Sequence, residues 1–155
     1  MISVSIKSHR FQLRAAAVAI EGGHVLLHRL EGDTFWALPG GRVEAGEQGS
    51  ATVVREFQEE LGLRVECCEL LGVGENFFSH EGEAHHEIGL YFSIALPCDS
   101  VLRDFAKIYR GIEGARNLDF KWFPLDQLLV TDLRPTALRL PLSSGNVPRH
   151  FIQHG

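Results

Sequence analysis

Residues 41–63 read GRVEAGEQGSATVVREFQEELGL, and the rest of the chain is best read outward from them. The second half, from about Gln48, has the pattern of a helix that stops at Gly62, because a glycine just past the last apolar residue supplies the left-handed conformation that ends a helix. At about 100° per residue, Val54, Phe57 and Leu61 share one face with Ala51 at its edge, while Glu56, Glu59 and Glu60 point the other way. The apolar face predicts a core contact. The acidic face needs a separate cause, since carboxylates at i, i+3 and i+4 repel one another and sit in the last turns, where the macrodipole favours cations. These penalties total on the order of 0.3–1 kcal/mol. A hard divalent ion such as Mg²⁺ or Mn²⁺ would reverse them, because it takes clustered carboxylate oxygens and keeps positions open for phosphate. The helix pattern alone also permits a solvated acidic face offset by Arg55, one turn before Glu59.

The wider spacing favours the metal. Gly41, five residues, Glu47, seven residues, then Arg55-Glu56-Phe57-Gln58-Glu59-Glu60-Leu61-Gly62-Leu63 resembles the signature of the Nudix hydrolases at every fixed position. The resemblance covers roughly residues 15–140 in outline, with the box and its WALPGG lead-in as the specific part. It implies an α/β (α+β) fold, an α/β/α sandwich with a mixed β-sheet flanked by helices, and one domain over residues 1–155 with its core at about 11–142. It also implies a metal requirement and a reaction type, but no particular substrate.

A chain of 155 residues can bury roughly two-thirds of its unfolded surface. The net charge of −5 argues against a broad nucleic-acid-binding surface, though metal ions can supply positive charge locally for a small anionic ligand. No apolar run approaches the length of a membrane span, and the start MISVSIKSHRF has no apolar leader core. Cys67, Cys68 and Cys98 lack CxxC spacing and read as reduced thiols of a cytoplasmic protein, with the adjacent pair on opposite faces of a strand.

In chain order, residues 1–10 read as a polar lead-in and residues 11–20 as a buried strand, although the alanine run also permits a short helix. Glu21-Gly22-Gly23 predicts a turn into a second strand at residues 24–29, giving a hairpin. After the helix, residues 63–73 and 75–78 read as strand and residues 80–84 as a polar loop. Residues 86–96 read as a long central strand in which Gly89 marks a bulge. Residues 98–118 are expected to form a surface loop with a helical turn at 102–108, followed by a last strand at 119–123. Pro124 and Pro135 open short helices, and the tail from Pro141 is expected to be loosely ordered.

The resemblance assigns roles residue by residue. The implied reaction is hydrolysis of a diphosphate bridge, which needs charge neutralisation, an activated water and in-line positioning. Glu56, Glu59 and Glu60 are the implied metal ligands, with the Gly40 carbonyl as a further ligand. Glu56 is the first candidate to polarise the water. Arg55 and Glu47 are expected to pair and brace the ligands. Some family members recruit a base from a later loop, and Glu81, Glu83, Glu87 and Glu113 are the candidates here, with Glu87 also an extra metal ligand. Residues weighed for substrate binding are Arg29 for phosphate, Trp36 and Phe78 for base stacking, and His86 for phosphate.

Substrate markers of known subfamilies are missing. Where ADP-ribose pyrophosphatases of the common type carry a proline past the box, this chain has Phe78 and Ser79. His80 and Glu81 stand where dinucleoside polyphosphate hydrolases tend to have a tyrosine, and the SQPWPFPxS pattern of NADH pyrophosphatases is absent. The expected partner is therefore a small nucleotide diphosphate, such as a nucleoside triphosphate or nucleotide sugar, with no nucleic-acid polymer and no membrane. A second copy of the chain is a candidate partner. The alternative class is a Nudix-fold nucleotide sensor that does not hydrolyse; such proteins usually have degraded boxes, and this box is intact.

Overall fold

The computed structural model describes the backbone of residues 1–155 and every side chain except that of Cys68, so the opposite-face reading of Cys67 and Cys68 lies outside the described residues. Strands β1 (Ser3–Ile6), β2 (His9–Val18), β3 (Ile20–Glu21), β4 (His24–Leu30) and β5 (Gly40–Arg42) precede helix α1 (Gly49–Leu61). Strands β6 (Glu66–His80), β7 (Glu83–Ala95), β8 (Ile108–Glu113) and β9 (Arg116–Pro124) follow. Two 3-10 turns, Leu125–Val130 and Thr136–Leu138, lead into helix α2 (Arg139–Ser143) and strand β10 (His150–His154).

One sheet has the order β1-β2-β7-β6-β10, with β5 added beside β2; a second has the order β3-β4-β9-β8. The larger sheet is mixed, because β2–β7 and β6–β10 are parallel and its other pairs antiparallel. The alanine run is strand, buried on both faces. Ala15, Ala17 and Ala19 join Leu26, Phe120 and Trp122 under Val53 and Phe57 of α1. Ala16 and Val18 join Val25, Leu27 and Phe123 under Leu128, Leu133, Leu138 and Leu142 from the C-terminal turns. That period-2 division of one strand between two cores is what makes the layers α/β/α.

The helix ends as expected. Gly62 has φ 67° and its N–H donates to the Gln58 carbonyl at 2.9 Å. Its buried stripe is rotated from the expected one: Thr52, Val53, Phe57 and Glu60 are buried, whereas Val54 is 37% exposed and Ala51 is exposed. The cause is that α1 sits against β8 as well as the main sheet, so closely that a Cβ on Gly111 would meet the Glu60 carbonyl at 2.8 Å. Burying Val53 and Phe57 contributes roughly 1.5–3 kcal/mol each, several times the helix's charge penalties.

Five further expectations are corrected. Residues 1–10 supply β1, paired with β2. Residues 98–118 are not a surface loop throughout: β8 and β9 form a hairpin through Gly114 (φ 60°) and Ala115, which matches a turn with glycine at its first central position. Gly89 stays in register opposite both Arg14 and Gly74, and the irregularities lie in β6 between Cys67 and Gly72. The hairpin at residues 22–23 joins only β3 to β4, since β4 otherwise pairs with β9. The tail, expected to be loose, ends in β10 along β6, with Phe151 in the second core.

At Gly72 the segment leading into β10 comes so close that an added Cβ would lie 1.9 Å from the Pro148 carbonyl oxygen. Gly72→Ala should therefore cost roughly 1–3 kcal/mol, read as a lower denaturant midpoint; an unchanged midpoint would mean the tail is not docked.

Candidate active site

The loop before α1 is built to carry charge. Gly40 and Gly41 pass beside β2 so closely that a Cβ on Gly40 would meet the Ala15 carbonyl at 2.1 Å, and one on Gly41 would meet the Glu56 carboxylate at 2.4 Å. Only glycine fits there, and the double glycine brings bare backbone against the helix carboxylates.

Arg55 ties these parts together. Its Nε donates to Glu47 Oε2 at 2.8 Å and Nη2 to Glu47 Oε1 at 3.1 Å, a bidentate pair. Nη1 donates to Glu56 Oε1 at 2.9 Å and to Glu59 Oε2 at 3.1 Å, and Nη2 also reaches the Arg42 carbonyl at 3.2 Å. Glu47 accepts from Thr52 Oγ1 at 2.6 Å and from the Glu44 N–H at 3.1 Å as well. The Arg55 hydrogen bonds, with those from Thr52 and Glu44 adding, hold the Glu47 carboxyl down at about 2. The same Glu47 contact raises Arg55.

The other carboxylates are pushed the opposite way. Burial raises Glu56, against the pull of Arg55. Glu60 is 7% exposed, and burial first, then the charges of Glu56 and Glu113, push it up to about 9. Its Oε2 is buried without a hydrogen-bond partner. An orphaned carboxylate oxygen beside a second raised carboxylate and a bare backbone turn suits a hard cation in donor chemistry. Among the described residues no three His, Cys, Asp or Glu side chains already converge to hold one, and the Arg55 Nη1 supplies the positive charge between Glu56 and Glu59.

Next to this cluster lies a cleft of about 580 Å³, lined by Gly40 together with Arg14, Arg42 and Glu113. Its floor holds Glu87, 5% exposed, which accepts from Gln12 Nε2 at 2.5 Å. The Gln12 Oε1 is then the accepting end, so His85 Nδ1 donates to it across 3.3 Å. Phe78 stacks on His85 with centroids 4.8 Å apart and planes 3° from parallel. On the loop side, the Arg134 guanidinium lies 4.6 Å over the Phe35 ring.

Glu47, Arg55, Glu56, Glu59 and Glu60 are thus brought together beside Gly40, while Glu87, Phe78 and Arg29 line the cleft. Two sequence candidates for substrate contact are placed elsewhere. Trp36 is 9% exposed, a core residue against Phe123 with the Arg29 guanidinium 4.4 Å over its ring. His86 falls on the other face of β7 from His85 and Glu87, between Phe11 and Phe77, because side chains alternate along a strand. Of the later-loop acids, Glu83 pairs with Arg10 at 2.6 Å and Glu81 is at an exposed turn, whereas Glu113 comes near Glu60. Gln12, Arg14 and Arg134 were missed, and of the neighbouring histidines it is His85, not His86, that faces the cleft. The signal for the first two was available: they are polar residues two apart in an otherwise apolar strand, so they share a face.

The comparisons agree with this construction. The NUDIX domain family profile matches residues 10–141, and the chain belongs to the Nudix family. A MutT-like protein of Streptomyces ambofaciens is 44% identical over 62 residues, 40% of this chain and 40% of that one. An ADP-ribose pyrophosphatase of Methanocaldococcus jannaschii is 41% identical over 76 residues, 44% of each chain. The chain spans less than half the length of these curated relatives. Among solved structures, a MutT Nudix hydrolase from Burkholderia pseudomallei superposes with a TM-score of 0.62 at 26% identity, covering 84% of this chain and 95% of that one.

The two glutamates shift stability in opposite pH ranges. Glu47, depressed to about 2, contributes stability that is present above its ordinary 4.5 and lost as pH falls toward 2. Glu60, raised to about 9, contributes stability that is complete below 4.5 and lost as pH rises through 9. In EDTA, the thermal midpoint of the wild type should fall from about pH 5 to about pH 9 more steeply than that of Glu60→Gln; parallel curves would mean that Glu60 ionises as an ordinary surface acid.

Proposed function

We propose that this chain is a divalent-metal-dependent pyrophosphohydrolase that cleaves the diphosphate bridge of a nucleoside diphosphate linked to another moiety. The observation that carries this is the buried, unpartnered Glu60 Oε2 close to Glu56, which packs against Gly41, with the adjoining Gly40 lining a cleft of nucleotide size. Glu56, Glu59, Glu60 and the Gly40 carbonyl would hold the ion, Mg²⁺ with Mn²⁺ as a substitute. Bound there, such an ion neutralises phosphoryl oxygens and acidifies water.

The chain's own residues do the rest. Arg55, fixed by Glu47, holds Glu56 and Glu59 in place and keeps the loop against the helix. Glu56, whose burial strengthens its hold on a proton, is the acceptor for the proton of the attacking water. Glu87, anchored by Gln12, and Glu113 near Glu60 are the supporting acids. Phe78 on His85, with Phe35 under Arg134, offers planar surfaces for a base. Relatives named for ADP-ribose and MutT-type activities support nucleotide substrates of both kinds. The two described cysteines, half-buried Cys67 and exposed Cys98, suit a cytoplasmic setting.

The test is a hydrolysis screen with Mg²⁺ and Mn²⁺ over nucleoside triphosphates, oxidised forms included, nucleotide sugars, ADP-ribose and dinucleoside polyphosphates, with Glu59→Gln beside wild type. Activity on one class, reduced at least about a hundredfold in the variant, is the expected result. Equal activity in the variant would remove the role of Glu59, and silence across the panel with nucleotide still bound would make the chain a binding module.

A further inference from the structure

Arg14 and Arg42 are direct Cα partners across the β2–β5 ladder, and both line the cleft. Like charges directly opposite in an antiparallel pair repel. The other cleft arginines are neutralised: Arg29 has Asp119 within 3.9 Å, and Arg134 and Arg139 have Asp132 at 3.2 and 3.0 Å. Among the described residues Arg14 and Arg42 have no such carboxylate. Arg14 Nη2 donates to the Leu38 carbonyl at 2.7 Å, and Arg42 Nη1 meets only the Met1 sulfur at 3.3 Å. Across the other ladder Arg14 faces Gly89, which presents no side chain to crowd it.

A second, independent feature sits beside them. His28 lines the same cleft, is 9% exposed, and its Nδ1 has no hydrogen-bond partner. Burial, reinforced by the Arg14 charge, holds its pKa at about 3, so the ring is a neutral polar group. Two unneutralised guanidiniums and an unpartnered imidazole lining one cleft lack only an acceptor-rich ligand. The charges of the pair are also felt at both the helix glutamates and His85. Burial dominates at Glu56, Glu60 and His85 alike, but Arg14 is among the charges acting on Glu56 and Glu60, and Arg42 among those acting on His85.

We infer that Arg14 and Arg42 form an anion-binding pair for the diphosphate of a nucleoside diphosphate moiety, between the helix glutamates and the Phe78–His85 wall. Each planar guanidinium offers donors in a fork that matches phosphate oxygens. The identity of the ligand rests on the hydrolase reading; the existence of an anion site does not.

The test is binding of inorganic pyrophosphate to the full chain in EDTA, by titration calorimetry over a range of salt concentrations. Wild type is expected to bind, with affinity falling as salt rises. Arg14→Gln and Arg42→Gln should each weaken it about tenfold or more, the loss of one charge-assisted contact. Because Arg14→Gln also removes the bond to Leu38, Arg42→Gln carries the test if the first variant does not fold. No binding by wild type, or unchanged affinity in Arg42→Gln, would overturn the proposal. Arginine-dependent binding with a silent hydrolysis screen would instead overturn the enzyme reading and leave the anion pair standing.

Discussion

The site depends on one guanidinium. Arg55 contacts Glu47 in the loop, Glu56 and Glu59 on its own helix, and the carbonyl of Arg42 in β5. No other residue could do this with a single planar group that is always charged and directs five donors in a fixed fork. The arrangement resolves the conflict built into α1, whose last turn is acidic and carries no basic residue. Arg55 offsets the repulsion on one side of the helix, but Glu60 on the other receives no such help and remains an uncompensated buried carboxyl. Near neutral pH the raised Glu60 stays protonated, and only its ionisation would call for a second source of positive charge.

The layers explain why that charge cluster sits where it does. Alternate residues of β2 feed two cores, one under α1 and one under the C-terminal turns, so the sheet is covered on both faces. Beyond that double cover, the same alternation leaves Gln12 and Arg14 on β2 and His85 and Glu87 on β7 facing a cleft. The glycines at 40 and 41 then bring α1's carboxylates to its edge. The glutamate cluster and the cleft wall thus come from one period-2 pattern and one close backbone approach.

Local chemistry was the legible part of the sequence. The helix, its Gly62 stop and the shared face of the glutamates follow from residues 41–63, and the Arg55–Glu47 brace from the family resemblance carried by the same stretch. The long-range part was not legible. The β8–β9 hairpin escaped because β8 is mostly exposed, with only Gly111 buried, so no apolar alternation marks it. Strand β10 escaped because its partner is a parallel strand 77 residues away, at register His150–Val73. The rotated stripe of α1 has a similar origin: a helical wheel knows the period but not that a second sheet edge covers the Glu60 side. Trp36 read as a ligand surface because aromatics flanking glycine turns look alike in sequence, whether the fold buries them or leaves them open.

The central claim is that Arg55 and Glu47 act as one unit, coupling loop to helix. A double-mutant cycle on Arg55→Gln and Glu47→Gln, measured by denaturant unfolding in EDTA near neutral pH, tests it most directly. Both side chains are less than a third exposed, at 26% and 17%, and bonded bidentately, so a coupling energy of roughly 1–2 kcal/mol is expected. Additive effects of the two substitutions would contradict the account, leaving the carboxylates held by the helix alone.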